Sequence, residues 1–302
     1  MNPQTRSETE GRFARMLFKL ACALWATLLL IVALGANLSA QQTRPRTTTT
    51  ESNALTPLQQ EIERERRRLS STDKEERRDA LMRLGWMKRP ESSRVAASAL
   101  SDPSPMVRAT ATRAVLSLPS EEAATALLPL LQDRDEFVRQ ETAYAIGETH
   151  SRIAVQPLIT LLVNDKQSGV RGAAAVALGQ LGDDQAAAPL AETLDRRIAA
   201  RGLFNKIRRS KAPENEFVRR AAARSLGQIR SRAAVPALTS ALSDEKAGDD
   251  VRREAARSLG LIADPAAIPA LKSALAARDP YLSRLAYEAL LRIAPAEATR
   301  PS

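Results

Sequence analysis

Four stretches of the chain spell nearly the same dozen residues: VRQETAYAIGET at 138–149, VRGAAAVALGQL at 170–181, VRRAAARSLGQI at 218–229 and VRREAARSLGLI at 251–262. Weaker copies begin at Glu76, Val107 and Leu282, so seven anchors follow one another at intervals of 31, 31, 32, 48, 33 and 31 residues. A period near 32 is the signature of a helical hairpin that cannot bury its apolar face alone and must stack on its neighbours. An array of this kind grows along one axis, so the length of 302 residues does not count its domains.

Within a copy, the anchor and the positions four, seven and eight beyond it are apolar or small, as in Val218, Ala222, Ser225 and Leu226. That spacing is one face of an α-helix. Gly85, Gly147, Gly179, Gly227 and Gly260 each fall nine residues after an anchor, where the lack of a side chain lets a neighbouring helix come close. Pro157, Pro189, Pro236 and Pro269 open the apolar stretches that follow, and the first turn of a helix tolerates a residue without an N–H. Aromatic residues make up only 3% of the chain, which suits closely packed helices and leaves little for a sandwich or barrel. The expected class is all-α.

This pattern resembles the HEAT repeat, most closely the phycobilisome-lyase-like (PBS-lyase) HEAT subfamily, and the resemblance covers residues 57–298. It implies an α-solenoid (superhelix) of about seven helical hairpins. It also implies a ladder between units, built from an aspartate in a turn and an arginine six residues on. Asp102 with Arg108, Asp133 with Arg139, and Asp165 with Arg171 fit that spacing.

Some members of the lineage are enzymes, and deoxyhypusine hydroxylase would demand His-Glu pairs on the anchor helices to hold two irons. This chain has Arg253-Glu254-Ala255 and Gln140-Glu141-Thr142 at the corresponding places, and arginine does not ligate iron. The sole histidine, His150, follows a helix as a turn residue, and the sole cysteine, Cys22, lies in an N-terminal apolar run. No catalytic, cofactor-binding or metal-binding residue is therefore assigned, and no cofactor is expected. An enzyme or enzyme accessory of the lyase and hydroxylase lines, and a nucleic-acid binder of the HEAT-like glycosylase kind, stand as alternatives to a binding scaffold.

The N-terminus reads as an export signal. Arg6, Arg12, Arg15 and Lys19 precede an uncharged run from Leu20 to Ala36, and Leu38 and Ala40 form an acceptable cleavage site. Residues 1–40 are a signal peptide if cut there and a signal anchor if kept, and in both cases the charge distribution puts the repeats outside the cytoplasm, in the periplasm or at the inner membrane. Residues 41–56, with four consecutive threonines, form a linker without apolar periodicity.

Two features depart from a bare repeat. The 48-residue interval holds an insertion at about 196–213 in which Arg196, Arg197, Arg201, Lys206, Arg208, Arg209 and Lys211 stand with no acid among them. That is seven positive charges in a chain of net charge +10. Second, positions two and six after the anchors carry Arg78, Arg113, Arg220, Arg224, Arg253, Arg257 and Arg284. Stacked hairpins would line these up along the concave surface and draw in an acidic protein segment or an anionic envelope polymer. The plainer reading is a face kept soluble by arginine, with local pairs such as Glu254 and Arg257.

Overall fold

The computed structural model describes residues 55–199 and 211–298, and the compact unit begins at Pro57. The export segment and all but the last two residues of the linker fall outside the described residues. Among the described residues, no helix is long and apolar enough to cross a membrane.

The described residues fold as seven hairpins. α1 (Pro57–Arg68) pairs with α2 (Lys74–Trp86), α3 (Pro90–Ala97) with α4 (Pro105–Ala114), and α5 (Ser120–Leu127) with α6 (Glu136–Thr149). Then α7 (Val155–Asn164) pairs with α8 (Ser168–Leu181), and α9 (Ala187–Asp195) with α10 (Glu216–Ile229). α11 (Val235–Ser243) with α12 (Asp249–Ile262), and α13 (Ile268–Ala274) with α14 (Pro280–Ile293), complete the array. Each even-numbered helix carries one anchor. These anchor helices pack directly on one another along the whole array while the outer helices touch sparsely, so the anchor layer lies on the inside of the curve.

The local sequence explains where the anchor helices start and stop. Asp135, Asn215 and Asp279 sit just before α6, α10 and α14 and accept hydrogen bonds from the first free amides, as Asp135 does from Phe137 N at 2.9 Å. At the other end His150, Gly182, Arg230 and Ala263 adopt left-handed backbone conformations that close α6, α8, α10 and α12. His150 is therefore an exposed helix-closing residue with φ of 54°.

The core is the expected face. Val218, Ala222, Ser225 and Leu226 of α10 are all buried, as are Val251, Ala255, Ser258 and Leu259 of α12. The glycines nine past five of the anchors permit the close approach: a Cβ at Gly147 would lie 2.9 Å from Ala177 Cα, and one at Gly227 would lie 2.8 Å from Ser258 Cα. The small residue met each time is the one seven past the next anchor. Where that residue is serine it also ties the helices together, Ser225 Oγ donating to Ala175 O and Ser258 Oγ to Ala223 O, both at 2.8 Å.

A ladder of arginines joins the turns. Arg77, Arg108 and Arg139 each donate to a carbonyl of their own turn and reach across to the carboxylate of the next unit, Asp102, Asp133 and Asp165 respectively, at 2.7 Å. The aspartate six residues before an arginine thus offers it a main-chain oxygen, while its carboxylate serves the arginine of the preceding unit. Burial alone would raise the carboxyls of Asp102 and Asp133, but their arginines and the amides of Ser104 and Asp135 hold both below the ordinary aspartate value.

At the fifth hairpin the turn gives way to a two-stranded antiparallel ribbon, β1 (Arg197–Ala199) with β2 (Lys211–Pro213), an addition to the otherwise helical fold. Residues 200–210 lie outside the described residues. A tight helical turn has no room for the extra chain, and pairing its two ends satisfies their backbone groups. The insertion would break the ladder, because Asp195 is now separated from α10. Glu214 replaces it: both of its oxygens accept from Arg171, at 2.6 and 2.9 Å, and the pair is almost wholly buried, with 0% and 5% of the side chains exposed.

Candidate functional site

The seven outward arginines fall on the anchor-helix face as expected, but they form two clusters and not one continuous stripe. Arg78 and Arg113 belong to a groove across α2, α4 and α6, while Arg220, Arg224, Arg253, Arg257 and Arg284 line a groove of about 670 Å³ across α10, α12 and α14. Between them the face is uncharged, with Gln140 and Tyr144 on α6 and Gly172 and Val176 on α8. α8 carries glycine where its neighbours carry side chains, and Phe217 from α10 lies over Gly172, so close that a Cβ there would clash with the ring.

In the C-terminal groove the arginines differ in what they are free to do. Arg253 donates to Asp279 at 2.7 Å and to Asp250 at 3.1 Å, and the hydrogen bond to Asp279 raises its already high pKa and holds Asp279 below the usual carboxylate range. It supplies the last rung of the ladder, because Arg252 turns instead to Leu242 O. Arg220 pairs with Asp250 at 3.0 Å and lies over the Phe217 ring, as Arg253 lies over Tyr281. Arg284 pairs with Glu288 on its own helix.

Arg224 and Arg257 are exposed and have no ion-pair partner among the described residues. They occupy the same repeat position on neighbouring helices, so their guanidiniums are one unit apart on the groove wall. The local pair between Glu254 and Arg257 does not form. Glu254 lines the groove with one carboxylate oxygen sealed from solvent and without a hydrogen bond.

The basic insertion divides in a similar way. Arg196 is spent on structure: it caps the end of α7 by donating to Leu162 O at 3.2 Å and Val163 O at 2.5 Å, and it approaches Glu214. Arg197 is exposed on β1. Lys211 begins β2, and Arg201, Lys206, Arg208 and Arg209 lie outside the described residues. Among the described residues no three His, Cys, Asp or Glu side chains gather as a metal cluster would.

The sequence reading did not find the N-terminal groove's apolar character. Trp86, 75% exposed, and Met82, Met106 and Phe137, also exposed, gather there in a space of about 370 Å³. A signal for it exists in the sequence. The residue just before the anchor is Met106, Phe137, Phe217 or Tyr281 in four of the copies, a position that points to the same face as the arginines two and six past the anchor.

A sequence model of the family described as HEAT repeats matches residues 66–147, 125–203 and 202–291. Among curated proteins none matches the sequence. Among solved structures, the Escherichia coli protein YibA aligns with a TM-score of 0.54 at 20% identity, over 78% of this chain and 81% of that one. The complex of CpcE and CpcF of phycocyanin lyase from Nostoc sp. PCC7120 aligns at 0.47 and 22% identity, over 82% and 91%. Human deoxyhypusine hydroxylase aligns at 0.37 and 21%, over 78% and 96%. At such identities the likeness is one of fold.

Proposed function

The chain belongs to the HEAT-repeat family, and from that premise we propose that it is a non-enzymatic interaction scaffold of the bacterial cell envelope that binds an acidic partner in the groove across α10, α12 and α14. The observation that carries this reading is the pair Arg224 and Arg257. Two guanidiniums that have no ion-pair partner among the described residues stand one repeat apart on a wall where every other arginine is already paired. Of those other arginines, Arg220 lies over the Phe217 ring and Arg253 over the Tyr281 ring, so they are already engaged within the groove. Carboxylates spaced along an extended partner can meet Arg224 and Arg257 in succession, and the exposed Arg197 adds positive field from the fifth hairpin. The basic n-region, apolar run and cleavage site in residues 1–40 support export of the repeats.

The test is the affinity of the full chain for fluorescein-labelled oligo-glutamate in low salt. Reversing only the unpaired charges, with Arg224→Glu and Arg257→Glu together, should weaken binding by at least tenfold while leaving the helical circular dichroism intact. Arg220 and Arg253 are unsuitable for this purpose because their reversal would break the ion pairs that hold the groove. Undiminished binding by the double variant would show that the two arginines are only solvated surface.

A further inference from the structure

We propose that the turns of the sixth and seventh hairpins hold an incomplete rung of the arginine ladder, a site at Arg252 for the carboxylate of an aspartate or glutamate borne by a partner polypeptide. This site is separate from the groove across α10, α12 and α14 and does not depend on how that groove is used.

Arg252 follows its anchor Val251 by one residue, as Arg108, Arg139, Arg171 and Arg219 follow theirs. Each of those four faces an acid from the next hairpin: Asp133 at 2.7 Å, Asp165 at 2.7 Å, Glu214 at 2.6 Å and Asp244 at 3.7 Å. Arg252 has no such acid, because the place five before the next anchor, held earlier by Asp102, Asp133 and Asp165, is held by Ala277. Asp279 does not stand in for it. It occupies the helix-capping place of Asp135, three before an anchor, and its carboxylate is taken by Arg253 at 2.7 Å.

The donors that a rung carboxylate uses are left over. Arg252 is held as Arg219 is, each Nε–H donating to a carbonyl near the end of its hairpin's first helix, Leu242 O at 3.1 Å and Leu194 O at 2.8 Å. In Arg219 a terminal nitrogen then faces Asp244, whereas both terminal nitrogens of Arg252 lack an acceptor among the described residues. In complete rungs the carboxylate also accepts from the amide two residues beyond it, Ser104 N to Asp102 at 2.8 Å and Asp135 N to Asp133 at 2.9 Å. The matching amide here, that of Asp279, has no acceptor among the described residues. A planar fork of N–H groups with a main-chain amide beside it is the counterpart of a carboxylate.

The surrounding space sets the scale of the occupant. Arg252, Ala277 and Asp279 line a cavity of about 880 Å³, of which one carboxylate takes a small part, so the acid arrives on a chain and not as a free small ion. Glu245 and Asp249 also line the cavity, but both are exposed and neither pairs with Arg252 among the described residues. Asp249 repeats the place of Glu136, two before an anchor, and Glu136 does not keep Arg139 from Asp165. The exposed Arg278, which has no ion-pair partner among the described residues, adds positive charge on the same wall.

The experiment titrates the full chain in low salt with the end-capped peptide Gly-Ser-Asp-Ser-Gly and with versions carrying asparagine or phosphoserine in place of the aspartate, followed by calorimetry. The aspartate peptide should bind about tenfold tighter than the asparagine peptide and at least as tightly as the phosphoserine one. Ala277→Asp supplies the rung from within the chain, so it should raise the thermal midpoint and erase that preference. Arg252→Gln should erase the preference without raising the midpoint. Both variants should keep the affinity of the wild-type chain for oligo-glutamate, which reports the groove across α10, α12 and α14. Equal binding of the aspartate and asparagine peptides, or a preference that survives either variant, would overturn the site at Arg252. Tighter binding of the phosphoserine peptide, or competition by acetate at the same concentration as the peptide, would overturn the carboxylate of a polypeptide as its occupant.

Discussion

Replacing Glu214 with glutamine isolates the rung that carries the array past its insertion. The carboxylate is fully buried, takes two hydrogen bonds from Arg171 at 2.6 and 2.9 Å, and also accepts from the Asn215 amide at 2.7 Å. Glutamine keeps the shape and one acceptor but leaves Arg171 charged, buried and without a counter-ion. Breaking a buried pair from one side costs about 3–5 kcal/mol, and the surviving acceptor places this case near about 3 kcal/mol. The exposed pair Arg94–Glu122, with 53% and 42% of its side chains accessible, is the internal control, and Glu122→Gln should cost less than about 0.5 kcal/mol.

With a urea slope of about 2–3 kcal/mol/M for a chain of this size, Glu214→Gln should lower the midpoint of unfolding by about 1 M, and Glu122→Gln should hardly move it. A solenoid need not unfold in one step, so amide hydrogen exchange is the sharper assay: loss of protection should centre on α8, α9 and α10. The double replacement Arg171→Met with Glu214→Leu should recover most of the loss, because it removes the unpaired charge. Equal small effects at Glu214 and Glu122, with uniform exchange, would refute the argument that Glu214 holds the two sides of the insertion together.

The ladder also sets a pH limit. Asp102, Asp133 and Asp279 have pKa values below their ordinary range, so the stability they contribute is complete above the unfolded aspartate value of about 4 and is lost as pH falls through the lower folded values. Thermal melts should therefore be flat from pH 7 to about 5 and drop steeply below about 4; a melt unchanged at pH 3 would show that the ladder carries no net stability. At the ends of the anchor helices, Ala263 sits at φ 57° without a side chain that could compensate, whereas Gly182 occupies the equivalent place at φ 66° with no atom near its missing Cβ. Ala263→Gly should raise stability by about 0.5–1 kcal/mol and Gly182→Ala should lower it by a similar amount, in calorimetry or urea melts; the same sign for both would disprove a purely backbone origin.

Much of the fold was legible because the repeat writes the same physical demand several times. Val218 and Leu226 could be placed in the core, and Gly227 at a close contact, since Val251, Leu259 and Gly260 make the same statement one unit later. The ladder was legible in type but not in connection, because spacing within the sequence shows Asp133 before Arg139 and cannot show that Asp133 reaches back to Arg108. Glu214 was hidden because it stands five residues before Arg219 where aspartate stands six before the other arginines, and only the ribbon's geometry brings it to Arg171. The arginine positions of the site could be read, yet their division into paired and unpaired could not. Whether Arg253 or Arg252 meets Asp279 depends on side-chain reach across two helices. The Trp86 groove escaped because exposed apolar residues in single copies look like scatter until stacking brings three helices together.

The bridge between Arg171 and Glu214 has a bearing on how such a chain can change over time. Together with the bond from Ser225 to Ala175 and the direct packing of α8 on α10, it ties the fourth and fifth hairpins without any contribution from the chain that leaves β1 and returns at β2. Doubling that length would cost only about 0.6 kcal/mol in closure entropy. The fifth turn is thus a port through which foreign sequence can enter without disturbing the spiral, a place where a basic finger, a binding loop or a whole small domain could be exchanged while the grooves on either side keep their shape.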